Sequence, residues 1–226
     1  MDNAYDLAMT FLRVQEFYES SSNVFRGGKF TLVEFMDWYS KNISETETFT
    51  YTEDWAGFNV PGDTIANCYK VNTEWTPYDR VMLSVYSELS LLEGDHPFYV
   101  IGARIQDKDV INHELAHGLF YADIEYRNKM IAMVEQLSFK QRFYDALMDE
   151  FHYTYGVCID EAQAYMATGL MPEISFARRK RKPFIQLFEE TVGKLANPQI
   201  IMEKTVDLFA GQSSSQQSRC HIETNA

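Results

Sequence analysis

Phe98-Tyr99-Val100-Ile101-Gly102-Ala103 runs, through the turn Gln106-Asp107-Lys108-Asp109, into a segment that contains His113-Glu114-Leu115-Ala116-His117. The first stretch is almost continuously apolar, which predicts a strand buried on both faces. The second has helical spacing: Ile111, Leu115, Leu119 and Ala122 form an apolar stripe that anchors a helix in a core. A helix turns about 100° per residue, so positions four apart differ by about 40°. His113 and His117 therefore project from one face, one turn apart, and two imidazoles so placed can share one tetrahedral metal ion. Glu114 is the next residue round the helix, placed to touch a water on that ion rather than the ion itself. Zinc brings such a water toward a pKa of about 7, and a neighbouring carboxylate can take its proton.

Working outward, residues 4–20 carry Leu7, Phe11, Val14 and Phe17 at helical spacing. Thr31-Leu32-Val33-Glu34 has the form of a capping box and opens a helix to about Lys41. Thr48-Phe49-Thr50-Tyr51-Thr52 alternates like a strand, and Val60-Pro61-Gly62-Asp63 reads as a turn. Thr76-Pro77-Tyr78-Asp79 starts another helix, with Thr as cap and Pro at the first helical position; it runs to about Leu92 and breaks at Gly94-Asp95-His96-Pro97. Further helices are expected near 124–137, 139–152, 159–170 and 184–209. Residues 211–226 are polar and Ser/Gln-rich, as in a disordered tail. The balance predicts a single helix-rich α+β domain over 1–210, with a small sheet beside the metal-binding helix.

Hydrophobic residues make up 46% of the 226-residue chain and aromatics 15%, enough to build a core. The formal net charge of −13 argues against nucleic acid or an anionic membrane as a partner. No run approaches the roughly 18 apolar residues of a membrane span. The N-terminal residues lack the basic start and apolar stretch of a secretory signal. Three cysteines, Cys68, Cys158 and Cys220, have no metal-knuckle spacing and suit free thiols in a reducing, cytoplasmic setting.

With these residues the sequence resembles the zincins, the HExxH zinc metallopeptidases. In metzincins a Gly and then a His or Asp follow the second His at intervals of three; here Phe120 and Asp123 hold those places, and on a continuous helix Asp123 faces away from His117. Cys158-Ile159-Asp160-Glu161-Ala162-Gln163-Ala164-Tyr165-Met166-Ala167 looks instead like the gluzincin arrangement, in which a Glu from a following helix completes the site. The resemblance covers residues 98–170. It implies one Zn2+ per chain held by His113, His117 and Glu161, with Glu114 as general base and a peptide or protein as substrate. It departs from the thermolysin-like pattern four residues after the ligand Glu, where an Asp that steadies a zinc-bound His is replaced by Tyr165.

His152 and Cys158 are further ligand candidates, and Tyr121 and Tyr165 could donate to an oxyanion. Each has a plainer reading, as a half-exposed His, a small buried Cys, or two of 14 tyrosines. Arg178-Arg179-Lys180-Arg181-Lys182 reads as a solvated basic loop. The aromatic, turn-rich segment Trp55-Ala56-Gly57-Phe58-Asn59-Val60-Pro61-Gly62 either roofs a substrate cleft or packs on the core. The strand at 98–103 is expected to form the edge of that cleft, with Gly102 leaving room for a peptide backbone. Two other classes stay open: a non-catalytic metal-binding regulatory or interaction module, and a zinc enzyme acting on a small non-peptide substrate.

Overall fold

A computed structural model describes residues 1–195 apart from Asp2, Asp95, His152 and Leu170. The expected tail, the last part of the 184–209 helix and His152 lie outside the described residues. The described residues form ten α-helices and one two-stranded antiparallel sheet, an α+β arrangement dominated by helix. No helix among them is long and apolar enough to cross a membrane.

Helix α1 (Ala4–Glu19) starts where the Asn3 side chain accepts from the Tyr5 amide at 2.8 Å. Its Leu7, Phe11 and Val14 are buried, as their spacing predicts, and Phe17 is partly buried beside them. Helix α2 (Leu32–Asn42) carries the expected capping box, with Thr31 and Glu34 satisfying each other's backbone amides. Helix α3 (Tyr51–Asp54) replaces the expected strand at 48–52. Thr50 decides this locally: its carbonyl accepts from the Glu53 and Asp54 amides, and its hydroxyl donates to Asp54 Oδ2 at 2.6 Å. That closes a helical turn, whereas a strand here has no partner among the described residues.

The segment expected as a turn, Val60 to Asp63, is instead divided between strand β1 (Gly57–Pro61) and helix α4 (Gly62–Val71), which follows without a loop. Pro61 ends the strand with φ −65°, a value proline prefers and a helix entry tolerates. Helix α5 (Pro77–Glu93) starts with Pro at its first turn and a capping box between Thr76 and Asp79. Asp79 also anchors the interior. It receives Arg13 Nε at 2.7 Å and Nη2 at 3.2 Å, while Arg13 Nη1 donates to the Phe30 carbonyl at 2.6 Å. Both side chains are 3% exposed, so the pair is desolvated and depends on this full set of partners.

Strand β2 (Tyr99–Ala103) pairs with β1 in the register Gly57↔Ala103, Asn59↔Ile101 and Pro61↔Tyr99. Its burial alternates rather than covering both faces, with Val100 and Gly102 inside. Gly102 does not make room for a substrate. A Cβ there would stand 2.3 Å from Cε2 of Phe11, so the glycine admits that ring.

Helix α6 (Lys108–Ala122) carries both histidines. Asp123 ends it and caps helix α7 (Ile124–Glu135) by accepting from the Glu125 and Tyr126 amides, which removes Asp123 from the ligand candidates. Helices α8 (Lys140–Phe151) and α9 (Cys158–Thr168) follow. A 3-10 stretch, Pro172–Lys180, then leads to helix α10 (Lys182–Val192). The basic run is therefore not a loop. Arg178, Arg179, Lys180 and Lys182 are exposed, but Arg181 turns inward and donates to the Met166 and Ala167 carbonyls at the C-terminal end of α9.

The buried apolar side chains gather into two clusters. One joins α1, α2, α4, α5 and the sheet; the other joins α6 to α10. Helix α6 packs against both strands on one side and against α9 on the other, so its histidine-bearing face lies at the seam.

Candidate metal centre

His113, Glu114 and His117 come from consecutive turns of α6, and Glu161 from the first turn of α9. Ala116, Ala162 and Ala164, all fully buried, let the two helices approach closely. Across that contact three donor groups converge. Nε2 of His113 lies 3.3 Å from Nε2 of His117. Glu161 Oε2 is 3.6 Å from the first nitrogen, and Oε1 is 3.7 Å from the second. Four ligands at about 2.0–2.1 Å from a tetrahedral zinc stand about 3.3–3.4 Å apart. The two nitrogens stand at that spacing, and the Glu161 oxygens, a different one toward each nitrogen, stand a few tenths of an ångström outside it. Taking one atom from each residue, the three donors lie within 4.8 Å of one another, with no fourth among the described residues. His113, His117 and Glu161 are the only such group of metal-binding side chains among the described residues.

The donor set also asks for a cation. Glu161 Oε2 is buried with no hydrogen-bond partner, an expensive condition for a carboxylate oxygen. Burial pushes the Glu161 carboxyl up, but His117, His113 and the Tyr153 hydroxyl together outweigh it and hold it below its ordinary value. Burial pulls His117 down, yet Asp160, Glu161 and Glu114 raise it well above the usual histidine value. Three carboxylates around one buried ring make this a strongly cation-favouring spot.

Each imidazole is turned by a second contact. Nδ1 of His117 lies 2.9 Å from Asp160 Oδ1. The same Asp160 oxygen accepts from Gln163 Nε2 at 2.9 Å, and Gln163 is fully buried. Gln163 also donates to the Ala116 carbonyl at 3.3 Å, and its own oxygen accepts from the Tyr126 hydroxyl at 2.9 Å. Nδ1 of His113 lies 3.4 Å from Thr168 Oγ1, whose hydrogen is engaged by the Ala164 carbonyl, so the histidine donates. With both Nδ1 atoms acting as donors, both Nε2 lone pairs face the common point. Asp160 takes the supporting place that the position of Tyr165 left unassigned; the Tyr165 ring instead packs on His113, with centroids 4.6 Å apart.

Glu114 is held from the other side of the seam. Asn59 Nδ2 donates to its Oε2 at 2.6 Å, and Asn59 Oδ1 accepts from the Tyr99 hydroxyl at 2.5 Å. Gly57 backs the carboxylate so closely that a Cβ would stand 2.3 Å from Glu114 Oε1. Burial raises the Glu114 carboxyl above its ordinary value against the pull of His117, His113 and Asn59.

The centre opens into a cleft of about 660 Å3. Its sheet wall is Gly57 and Asn59 of β1, not β2, which corrects the expected cleft edge. The Asn59 amide is already taken by Gln15 Oε1 at 3.2 Å, so an added strand could not pair there. Tyr165 lines the cleft beside Tyr153, whereas Tyr121 points to Asp63 at 3.5 Å and lies outside it. Cys158 is buried and donates to the Thr154 carbonyl, away from the donor triangle. The cleft therefore gathers His113, Glu114, His117, Glu161 and Tyr165, and excludes Asp123, Tyr121 and Cys158.

No family model, curated protein or solved structure matches this chain.

Proposed function

We propose that the protein is a zinc-dependent hydrolase, a metallopeptidase with a zincin-like, gluzincin-type centre. The observation that carries this reading is the convergence of His113, His117 and Glu161 donors to within 4.8 Å of one another, with the carboxylate of Glu114 fixed beside them by Asn59. A purely structural site has no use for a carboxylate beside the metal and keeps no corner open. The succession of strand, histidine-bearing helix and glutamate-bearing helix supports the same reading.

His113, His117 and Glu161 would hold one zinc ion. When bound, zinc would supply a Lewis acid that polarises a substrate carbonyl and lowers the pKa of bound water to about 7. The protein's own groups do the rest. Asn59 and Gly57 fix Glu114 so that it can take a proton from water and return it to the departing amine. Asp160 and Thr168 hold the two histidines in the tautomer that leaves Nε2 free. The cleft, open along Trp55 and Tyr153, is of the size that holds a small ligand or a few residues of a chain. Free, buried Cys68 and Cys158 support our placing of the protein in a reducing, cytoplasmic compartment.

The test pairs two substitutions. Glu114→Gln keeps about one zinc per chain and lowers peptide hydrolysis by about 10²–10⁴-fold. His113→Ala loses zinc affinity as well as activity. A wild-type protein that binds zinc but performs the same cellular task with Gln at position 114 would instead be a metal-binding interaction module.

A further inference from the structure

A second cavity, of about 490 Å3, opens beside the metal cleft and shares with it a wall of Gln15, Glu19, Trp55, Gly57 and Tyr153. Its sides are aromatic: Trp38 and Tyr39 from α2, Tyr51 from α3, and Trp55 and Phe58 around the start of β1. Tyr39, Tyr51 and Phe58 are buried, while Trp55, on the wall common to both cavities, is 41% exposed. Of the segment whose sequence left open whether it roofs a cleft or packs on the core, Trp55 and Gly57 line both cavities while Phe58 and Val60 are buried in the core.

The charged groups lining this aromatic space are of one sign, among neutral Gln, Ser and Thr side chains. Glu16, Glu19, Glu45, Asp54 and Glu150 line it, and among the described residues no Lys, Arg or His does. Burial pushes the Glu16 carboxyl up to about 7, against hydrogen bonds from Ser20 and Tyr51, as desolvation does to a carboxylate. Their complement is not a second metal ion. These side chains do not converge as His113, His117 and Glu161 do; they are spread around a space far wider than an ion. An organic cation with an apolar stem fits both features, the stem along the rings and the head among the carboxylates.

We infer that this cavity is the specificity pocket for a lysine or arginine side chain of a peptide substrate, adjacent to the bond being cleaved. The inference rests on the hydrolase reading for its link to cleavage, but the pocket's chemistry can be read separately. The chain's net charge of −13 favours capture of basic peptides in the same sense.

The experiment uses the full zinc-loaded chain and peptides acetylated at the N-terminus and amidated at the C-terminus, so that a side chain is the only cation. Cleavage sites in a mixed library are mapped by mass spectrometry, and a matched pair carrying Lys or norleucine at the selected position is then compared. Lys and Arg dominate one position flanking the cleaved bond, and kcat/KM for the Lys peptide exceeds that for the norleucine peptide by about tenfold or more. Glu16→Gln, and separately Glu150→Lys at the exposed rim, cut that ratio at least about threefold; the rim variant serves if the buried one fails to fold. Cleavage without preference for a basic residue, or a preference untouched by both variants, overturns the pocket and leaves the hydrolase standing. If the wild type cleaves nothing, binding of the same pair to zinc-loaded Glu114→Gln is followed by tryptophan fluorescence. Tighter binding of the Lys peptide by about tenfold then upholds the pocket while the hydrolase reading falls, and equal or absent binding overturns the pocket as well.

Discussion

Asp160 Oδ1 stands 2.9 Å from Nδ1 of His117, although the two residues are on different helices. Asp160 is the immediate neighbour of Glu161, so one turn of α9 would supply both a donor for the proposed metal and the orienter of a donor from α6. Loss of such an outer contact costs about 10–100-fold in metal affinity. Asp160→Ala therefore weakens zinc binding by that factor, measured by competition with a chromogenic chelator. Gln163→Leu, which removes the Gln163 donor to Asp160 but keeps that of His117, shifts affinity in the same direction by less. Unchanged affinity in Asp160→Ala would remove the carboxylate from the site.

Gly57 presses on Glu114 from the strand side. Gly57→Ala places a methyl group 2.3 Å from Glu114 Oε1 and 2.6 Å from Val110 Cγ1, so the carboxylate must move. The substitution costs about 1–3 kcal/mol of stability, as overpacking does. It also lowers kcat while zinc content stays at that of the wild type. Metal analysis beside steady-state kinetics checks the pairing, and a loss of zinc would show that Gly57 supports the ligands rather than the base.

Stability should vary with pH through Glu16. Its carboxyl is raised from 4.5 to about 7, chiefly by burial, against the pull of Ser20 and Tyr51. Between these values the folded chain keeps a proton that the unfolded chain has lost, so this residue's contribution to stability falls as pH rises from about 4.5 through about 7. Glu16→Gln keeps an acceptor for Ser20 and Tyr51 and abolishes the titration. Its Tm exceeds that of the wild type by at least about 3 °C at pH 8, and the two coincide near pH 4.5. Calorimetry across that range decides, and an offset equal at both pH values would contradict the assignment.

The Arg13–Asp79 pair ties α1 to α5 and to the segment before α2. Arg13→Ala leaves Asp79 buried without its counter-charge, at a cost of about 3–5 kcal/mol. That corresponds to a fall in Tm of about 6–20 °C for a chain of this size. The pair joins α1 and α5, whose apolar residues belong to the first cluster, so zinc stoichiometry of the protein that remains folded is unaffected.

Helix starts were readable because their signals are local. Thr31 with Glu34, and Thr76 with Pro77 and Asp79, satisfy amides within four residues, and the structure uses them as written. The histidine pair was readable for the same reason, since helical periodicity alone puts His113 and His117 on one face. Thr48 to Thr52 misled because alternation states a preference without showing whether a partner strand exists. Asn59, Gly57 and Gln163 carried no signal, because their roles arise only when distant elements meet. Asp160 could have been found from its place beside Glu161, whereas a search four residues onward arrives at Tyr165.

All three proposed ligands belong to the C-terminal helical cluster, while the walls of the aromatic cavity are drawn mainly from the N-terminal one, and α6 is where they touch. Reaction and appetite are thus written in separate stretches of the chain. Under the proposed reading, changes among residues 15–58 can redirect which side chain is welcomed without disturbing the triangle that holds the ion. Under that reading, targets could change by drift in the first third without touching the ion's ligands, provided Gly57 and Asn59, which hold Glu114, are kept.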